Sequence, residues 1–486
     1  MEPKNKSSFN RRDFLKTGAL SGLFLGTAGL AGCVSKNGSK PPSFEGRVKN
    51  VIFLVSDGMS VGTLQMCDLL RRRKEGRPSS WLRLYEQGKV TRSLMDMSTG
   101  NTNVPDSAAA ASSWGCGVRI TNGAVNMLDN GEQLDSVVPL FKAAGKKTAL
   151  VTTARVTHAT PAGFCASVQS RGMEDEIAMQ YYERKPDIIM GGGNRHFDGA
   201  SREDGVDLYE KFKADGYHIA RKKSDLASLS PGFNKVLGIF AEHHLPYNID
   251  HLHNEEHLAN VPTLAEMTKL SLDLLHASGD GFLIQIEGAR IDHGAHGMDA
   301  PAMIYDQVAF DDAVEVAFDF YEKNPNDTLI IITTDHGNAN PGLNGAGSYY
   351  NDSVPNFDKL QNFKHTNEWV QHGFGDGVPS VSQIIERTEY ATGGIVMSRE
   401  HAELYRTARR REHRAAHNDR SNPWFVYGEL MSNYTSIVFA SSSHTADYVE
   451  LAAAGPGSET LGAFVKNTDL FTLMTKAAGV PALVRV

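Results

Sequence analysis

Phe282-Leu283-Ile284-Gln285-Ile286-Glu287-Gly288-Ala289-Arg290-Ile291-Asp292-His293-Gly294-Ala295-His296 is the stretch on which the fold turns. Its first five residues are apolar toward both faces, which predicts a strand buried in a parallel sheet. Two carboxylates and two histidines follow at once, among glycines that let the backbone fold back. Asp292 and His296 are four residues apart, so one helical turn sets them on the same side. Asp, Glu and His are the mixed donors that zinc takes in catalytic sites. A solvated polar loop is the plainer alternative. The density of ligand-type residues beside an apolar strand argues against it.

The same pattern recurs along the chain. Val51–Val55 reads as a strand with Asp57 just beyond it, and Thr148–Thr152 as another. Asp187–Met190 reads as a third, closed by Gly191, Gly192 and Gly193. Thr328–Ile332 is followed by Thr333, Thr334, Asp335 and His336. Neighbours in a strand face opposite ways, so Asp335 and His336 share one ion only if the chain turns there. Gly337-Asn338 permits that turn. Helical patterns span Leu264–His276 and Pro301–Tyr321. The alternation predicts an α/β fold, with a central, mostly parallel sheet covered by helices on both faces. Such sheets bind ligands at the carboxyl ends of their strands, so these acids and imidazoles gather along one rim.

The segment from about 340 to 432 interrupts the regular pattern and reads as an inserted cap. Within it, Arg406, Arg409, Arg410, Arg411 and Arg414 read as a solvated helix face. Core sequence resumes at Tyr434–Phe439 and runs through Val449 to Gly457. His444 follows that run, and a lone histidine there is more often structural than a ligand. No internal repeat is present.

Pro105-Asp106-Ser107 opens an alanine-rich run, which is a good helix start. Capping alone explains the Asp-Ser pair. A helix N-terminus also favours a phosphate oxygen or an alkoxide. Ser107 there becomes a nucleophile if a metal lowers its pKa.

The chain has 486 residues, 41% hydrophobic and 22% charged, which is ordinary globular composition. A formal charge of −8 argues against nucleic-acid binding by backbone neutralisation. An anionic substrate would instead meet bound metals and an arginine. Asn10-Arg11-Arg12-Asp13-Phe14-Leu15-Lys16 precedes a mildly apolar stretch, Thr17–Ala31, too short and too weakly apolar for a membrane span. It is similar to a twin-arginine export signal. Leu30-Ala31-Gly32-Cys33 looks like a lipoprotein cleavage box, which would make Cys33 a lipid anchor. Residues 1–33 are therefore expected to be signal and 34–46 a tether. The protein is expected to be exported by a bacterium, periplasmic or membrane-anchored. Cys67, Cys116 and Cys165 show no metal spacing and read as mostly buried thiols.

Taken together, the segments resemble the alkaline phosphatase family from about Lys49 to Ala478. The matches are Val55-Ser56-Asp57-Gly58-Met59, Asp106-Ser107-Ala108, Val151 to Pro161, Ser170-Arg171, Ile286 to His296, Thr334-Asp335-His336 and His444-Thr445. They occur in the family's order, and seven in sequence are highly specific. The resemblance implies an alkaline-phosphatase-like sandwich over 47–486 that hydrolyses phosphate monoesters through a phosphoserine. It implies Ser107 as nucleophile and Arg171 as the clamp on the phosphoryl oxygens. One zinc would take Asp292, His296 and His444, and a second Asp57, Asp335 and His336. A magnesium ion would take Asp57, Thr160 and Glu287, so Asp57 bridges two ions. His158 and His293 lie beside this third site, where relatives vary, so its metal stays open. The insertion is read as a cap or a dimer contact, and a homodimer stays open. A phosphodiesterase of the same superfamily is the rival activity. A sulfatase is disfavoured because Cys116-Gly117-Val118-Arg119 lacks the required proline. A non-catalytic surface lipoprotein that binds metal or phosphate would be expected to have a broken ligand set, and the set here is complete.

Overall fold

Every residue of β1 (Asn50–Ser56) is buried, because the strand runs through the middle of a large sheet. The computed structural model describes residues 44–482, apart from 231, 233–234, 346–349 and 416–420. The export signal, Cys33 and most of the tether lie outside the described residues. After β1 the strands are β2 (Thr91–Asp96), β3 (Lys147–Arg155), β4 (Ile188–Gly192), β5 (His218–Ala220), β6 (Val236–Ile239), β7 (Phe282–Gly288) and β8 (Thr328–Thr333). Four two-residue strands follow, β9 (Gly337–Asn338), β10 (Gly342–Leu343), β11 (Ile437–Val438) and β12 (His444–Thr445). β13 (Val449–Ala454) and β14 (Phe464–Lys466) complete the set.

The central sheet has ten strands in the order β14-β2-β13-β8-β1-β7-β3-β4-β6-β5. Only β13 pairs antiparallel, with β2 on one side and β8 on the other. The sheet is therefore mostly parallel, as the apolar runs predict.

Successive side chains of β1 enter opposite cores, as strand geometry requires. Ile52 and Leu54 join the cluster under the helices Leu264–Ser278 and Ala300–Lys323. Val51, Phe53 and Val55 join the cluster under the helices Ser107–Cys116 and Ala159–Cys165. Phe53 packs between Trp114 and Phe164, with ring centroids 5.1 and 5.2 Å away. Those last two helices touch so closely that a Cβ on Gly115 would lie 2.0 Å from the Gly163 carbonyl. This contact locks the helix that begins at Ser107 to the one that follows His158.

Two sequence expectations need correction. Asp187 precedes β4; its carboxylate instead holds the Lys142 ammonium and the Thr148 amide, at 2.9 Å each. The apolar run at Ile437 is core, as expected, with Ile437 and Phe439 buried in the cluster under Leu264–Ser278. Its strand β11 pairs with β10 in a separate ribbon, and the chain returns to the sheet only at β13. Arg406 and Arg409 do not simply face solvent, since they donate to the carbonyls of Pro379 and Gly377.

Segment 340–432 holds the helices Ser353–Asp358, Asn367–His372, Val381–Thr392 and Arg399–Arg409. Phe357, Leu360, Tyr405 and Ala408 continue the hydrophobic cluster on the Ala300–Lys323 side. Asp299, which caps that long helix, also accepts the Glu368 amide at 2.8 Å. Cys67, Cys116 and Cys165 are buried. No helix among the described residues is long and apolar enough to cross a membrane.

Asp306 lies in the long helix, buried, and accepts the Asn248 amide at 2.9 Å. Burial raises its pKa to about 7. Below the ordinary carboxylate pKa, folded and unfolded chains are both protonated and the group costs nothing. As pH rises toward 7 only the unfolded chain ionises, so stability is lost, and the full cost is present above 7. Asp306→Asn is therefore expected to stabilise the protein at pH 8 and to change little at pH 4. The gain should be at least about 1 kcal/mol at pH 8 by denaturant titration, and a gain independent of pH would contradict this account.

Candidate functional site

The middle strands β8, β1, β7 and β3 lie side by side, and their carboxyl ends carry the polar residues. Val55 is in register with both Glu287 and Thr333. Asp57, one turn past β1, is thus flanked by Glu287 from β7 and by Asp335 and His336 past β8. All four are fully buried. Gly58 makes this possible. Its φ is +71°, and a Cβ there would fall 2.5 Å from Asp292 Oδ1.

The chain turns sharply after β8, so Asp335 and His336 face the same point. Asp335 Oδ1 accepts the amides of Gly58 and His336, each at 3.0 Å. Its Oδ2 lies 3.1 Å from His336 Nε2. That same nitrogen is 3.2 Å from Ser107 Oγ and 3.8 Å from Asp57 Oδ1. Asp57, Asp335 and His336 form one cluster able to hold a cation, and Ser107 Oγ borders it.

A second cluster forms beside it. Helix Arg290–His296 brings His296 Nε2 to 3.4 Å from Asp292 Oδ2. His444 Nε2 is 3.5 Å from Asp292 Oδ1 and 2.9 Å from His296 Nε2. Each imidazole uses Nδ1 on a backbone carbonyl, His296 on Ser442 at 2.7 Å and His444 on Pro105 at 2.8 Å. A carbonyl only accepts, so the protons sit on Nδ1 and both Nε2 atoms present lone pairs. Two lone pairs at that separation beside a carboxylate fit a bound cation, with outer partners fixing the tautomers. His336 stacks on His444 at 3.6 Å, and Asp292, His336 and His444 place ligand atoms close enough to share one ion.

Asp57, Glu287 and His158 form the third cluster. Among the described residues no hydrogen-bond donor reaches either oxygen of Asp57. Glu287 Oε2 accepts from Thr152, while Oε1 stays without a donor. The hydroxyl of Thr160 is sealed from solvent beside Glu287. Burial, then the neighbouring acids Asp335, Asp292 and Glu287, hold the Asp57 carboxyl well above its ordinary range. Burial raises Glu287 to about 7. Orphaned buried carboxylate oxygens of this kind fit divalent cations.

Ser107 is the first residue of its helix, and Asp106 is the N-cap, accepting the Ala109 amide at 3.0 Å. Asp106 also takes Arg171 Nη1 at 3.2 Å, while Arg171 Nη2 meets His158 Nε2 at 3.0 Å. The Arg171 side chain is 29% exposed. His293 stands outside the three clusters, its ring centroid 5.6 Å from His158 and 4.3 Å from His244. Burial, then His244 and Arg290 beside it, holds the His293 pKa well below its ordinary value.

The structure thus brings together Asp57, Ser107, His158, Glu287, Asp292, His296, Asp335, His336 and His444, with Arg171 at the opening. Residue reasoning alone treated His444 as structural. The two-residue ribbon of β12 with β9 carries it to Asp292, and so short a pairing leaves no sequence signal. Asn338 was seen only as a turn former, yet its amide holds Asp292 Oδ1 at 2.6 Å. Asp106 was seen only as a cap. Its second oxygen was legible only once Arg171 was placed beside it.

Comparison with known proteins gives this geometry a family. The alkaline phosphatase family model matches residues 48–480. Alkaline phosphatase 3 of Bacillus subtilis is 28% identical, covering 88% of this chain and 89% of its own. Alkaline phosphatase of Escherichia coli is 30% identical over 60% of this chain and 70% of its own. The crystal structure of Thermus thermophilus alkaline phosphatase superposes with a TM-score of 0.83 at 33% identity, covering 92% of this chain and 93% of that one. The chain belongs to the alkaline phosphatase family and is a phosphomonoesterase.

Proposed function

We propose that this enzyme hydrolyses small phosphate monoesters through a phosphoserine at Ser107, supported by two zinc ions and one magnesium ion. The observation that carries this is Ser107 Oγ at 3.2 Å from His336 Nε2, at the start of a helix and beside three cation-fitting clusters. Asp292, His296 and His444 would hold one zinc. Asp57, Asp335 and His336 would hold the other. Asp57, Thr160 and Glu287 would hold magnesium, with His158 and His293 at its border. Imidazole-rich sets suit zinc and the all-oxygen set suits magnesium. When bound, the ions neutralise developing negative charge on the attacking and leaving oxygens.

The protein's own groups do the rest. The two buried helices that clamp Gly115 against Gly163 fix the Ser107 backbone. Ser107 Oγ attacks phosphorus, its P–O bond forms, and the ester oxygen leaves as the alcohol. Arg171 presents its fork to the non-bridging oxygens. Water then attacks the phosphoserine, restoring Ser107 and releasing phosphate. Two inversions give retention at phosphorus. Residues 1–33 are proposed as an export signal, with Cys33 as lipid anchor and 34–46 as tether. On that reading the enzyme works outside the cytoplasm, on substrates that reach it by diffusion.

Ser107→Ala is expected to lower kcat on an aryl phosphate monoester by at least about a thousandfold while phosphate still binds. Near-normal turnover, or faster turnover of a diester by the parent enzyme, would overturn the proposal. Metal binding gives a second test. Burial holds the Asp57 carboxyl above its ordinary range and raises Glu287 to about 7, so ligation by cations expels protons from this pair. Adding zinc and magnesium to stripped protein in weak buffer at pH 7 should release protons, read with a pH indicator. Proton uptake, or none released on binding, would contradict the ligand assignment.

A further inference from the structure

We infer that Glu174 is a positioning residue for Arg171, closing a ring of contacts that fixes the phosphate clamp. This rests on the reading of Arg171 as that clamp. Arg171 sits in a surface loop in which Gln169, Ser170, Gly172 and Met173 are exposed. Such a loop does not hold a guanidinium still by its own packing. One anchor is visible at the backbone, where the Arg171 amide donates to the Gly123 carbonyl at 2.7 Å.

Glu174, three residues on, supplies the second. Its side chain is 16% exposed and gathers three donors. Arg155 Nε and Nη2 reach its two oxygens at 2.7 Å each. Thr157 Oγ1 donates at 2.6 Å, and His196 Nε2 lies 3.2 Å away. Arg155 ends β3, and Thr157 immediately precedes His158. His158 in turn meets Arg171 Nη2 at 3.0 Å. The ring therefore runs from Arg171 along the chain to Glu174, across to Arg155 and Thr157, along to His158, and back to Arg171. The loop that carries the clamp and the turn that carries its imidazole partner are tied at both ends.

A plain structural role would be to start the helix Glu174–Arg184. Asp175 and Glu176 already place acid in that first turn, so the dipole needs no third carboxylate. A bidentate arginine pair also specifies orientation, which a dipole contact does not.

The test is a double-mutant cycle on kcat/KM for an aryl phosphate, with inhibition by inorganic phosphate measured in parallel. Glu174→Gln should lower kcat/KM about tenfold, the low end for outer partners of active-site groups, and weaken phosphate inhibition in proportion. In an Arg171→Ala background the same change should cost less than about twofold. Thr157→Val removes one donor only and serves as a milder variant if Glu174→Gln folds poorly. It should cost about threefold in the parent and nothing beyond error in the Arg171→Ala background. Equal losses in both backgrounds, or no loss in the parent, would overturn the positioning role while leaving the clamp intact. Arg171→Ala without effect would overturn the clamp reading, and the positioning role with it.

Discussion

Four carboxylates, Asp57, Glu287 and Asp335 at the ends of neighbouring strands and Asp292 in the short helix after β7, are buried with too few protein cations to balance them. In a low-dielectric interior this arrangement is costly unless the groups are protonated or shared by metal ions. The rest of the structure is arranged around that constraint. Donors inside the chain are spent on holding the carboxylates in place rather than neutralising them: Gly58 and His336 amides on Asp335, Asn338 on Asp292, Thr152 on Glu287. The oxygens left over face one another. A site that orients its acids but leaves their charge uncompensated is built for cations.

The sheet supplies the rigidity this requires. Only strands with in-register neighbours on both sides can hold four acids of like charge within ligand distance, and β1 has such neighbours in β7 and β8. Ser107 reaches the same point from a helix on one face, and His444 from a ribbon outside the sheet. Three separate parts of the chain thus converge on one rim, so the site can form only when the fold is complete.

Much of this was legible in the residues. Apolar runs marked β1, β3, β7 and β8, and the acids just after them marked the rim, because buried parallel strands carry their pattern locally. Asp187 was misplaced by one position because a carboxylate beside an apolar run gives no boundary signal. His444 could be placed as a ligand only through the family resemblance, since its approach depends on pairing with Asn338, over a hundred residues away in sequence. The ring through Glu174, Arg155 and His158 was not legible at all. It joins five polar residues, Arg155, Thr157, His158, Arg171 and Glu174, that only the tertiary structure brings together.

The orphaned oxygens and the imidazoles around them are cation ligands on the proposed reading. Anomalous diffraction from crystals of the purified enzyme, collected on either side of the zinc absorption edge, tests it most directly. Two zinc peaks are predicted, one bounded by Asp292, His296 and His444, the other by Asp57, Asp335, His336 and Ser107 Oγ. Absence of both peaks in active enzyme, or zinc located away from these side chains, would contradict it.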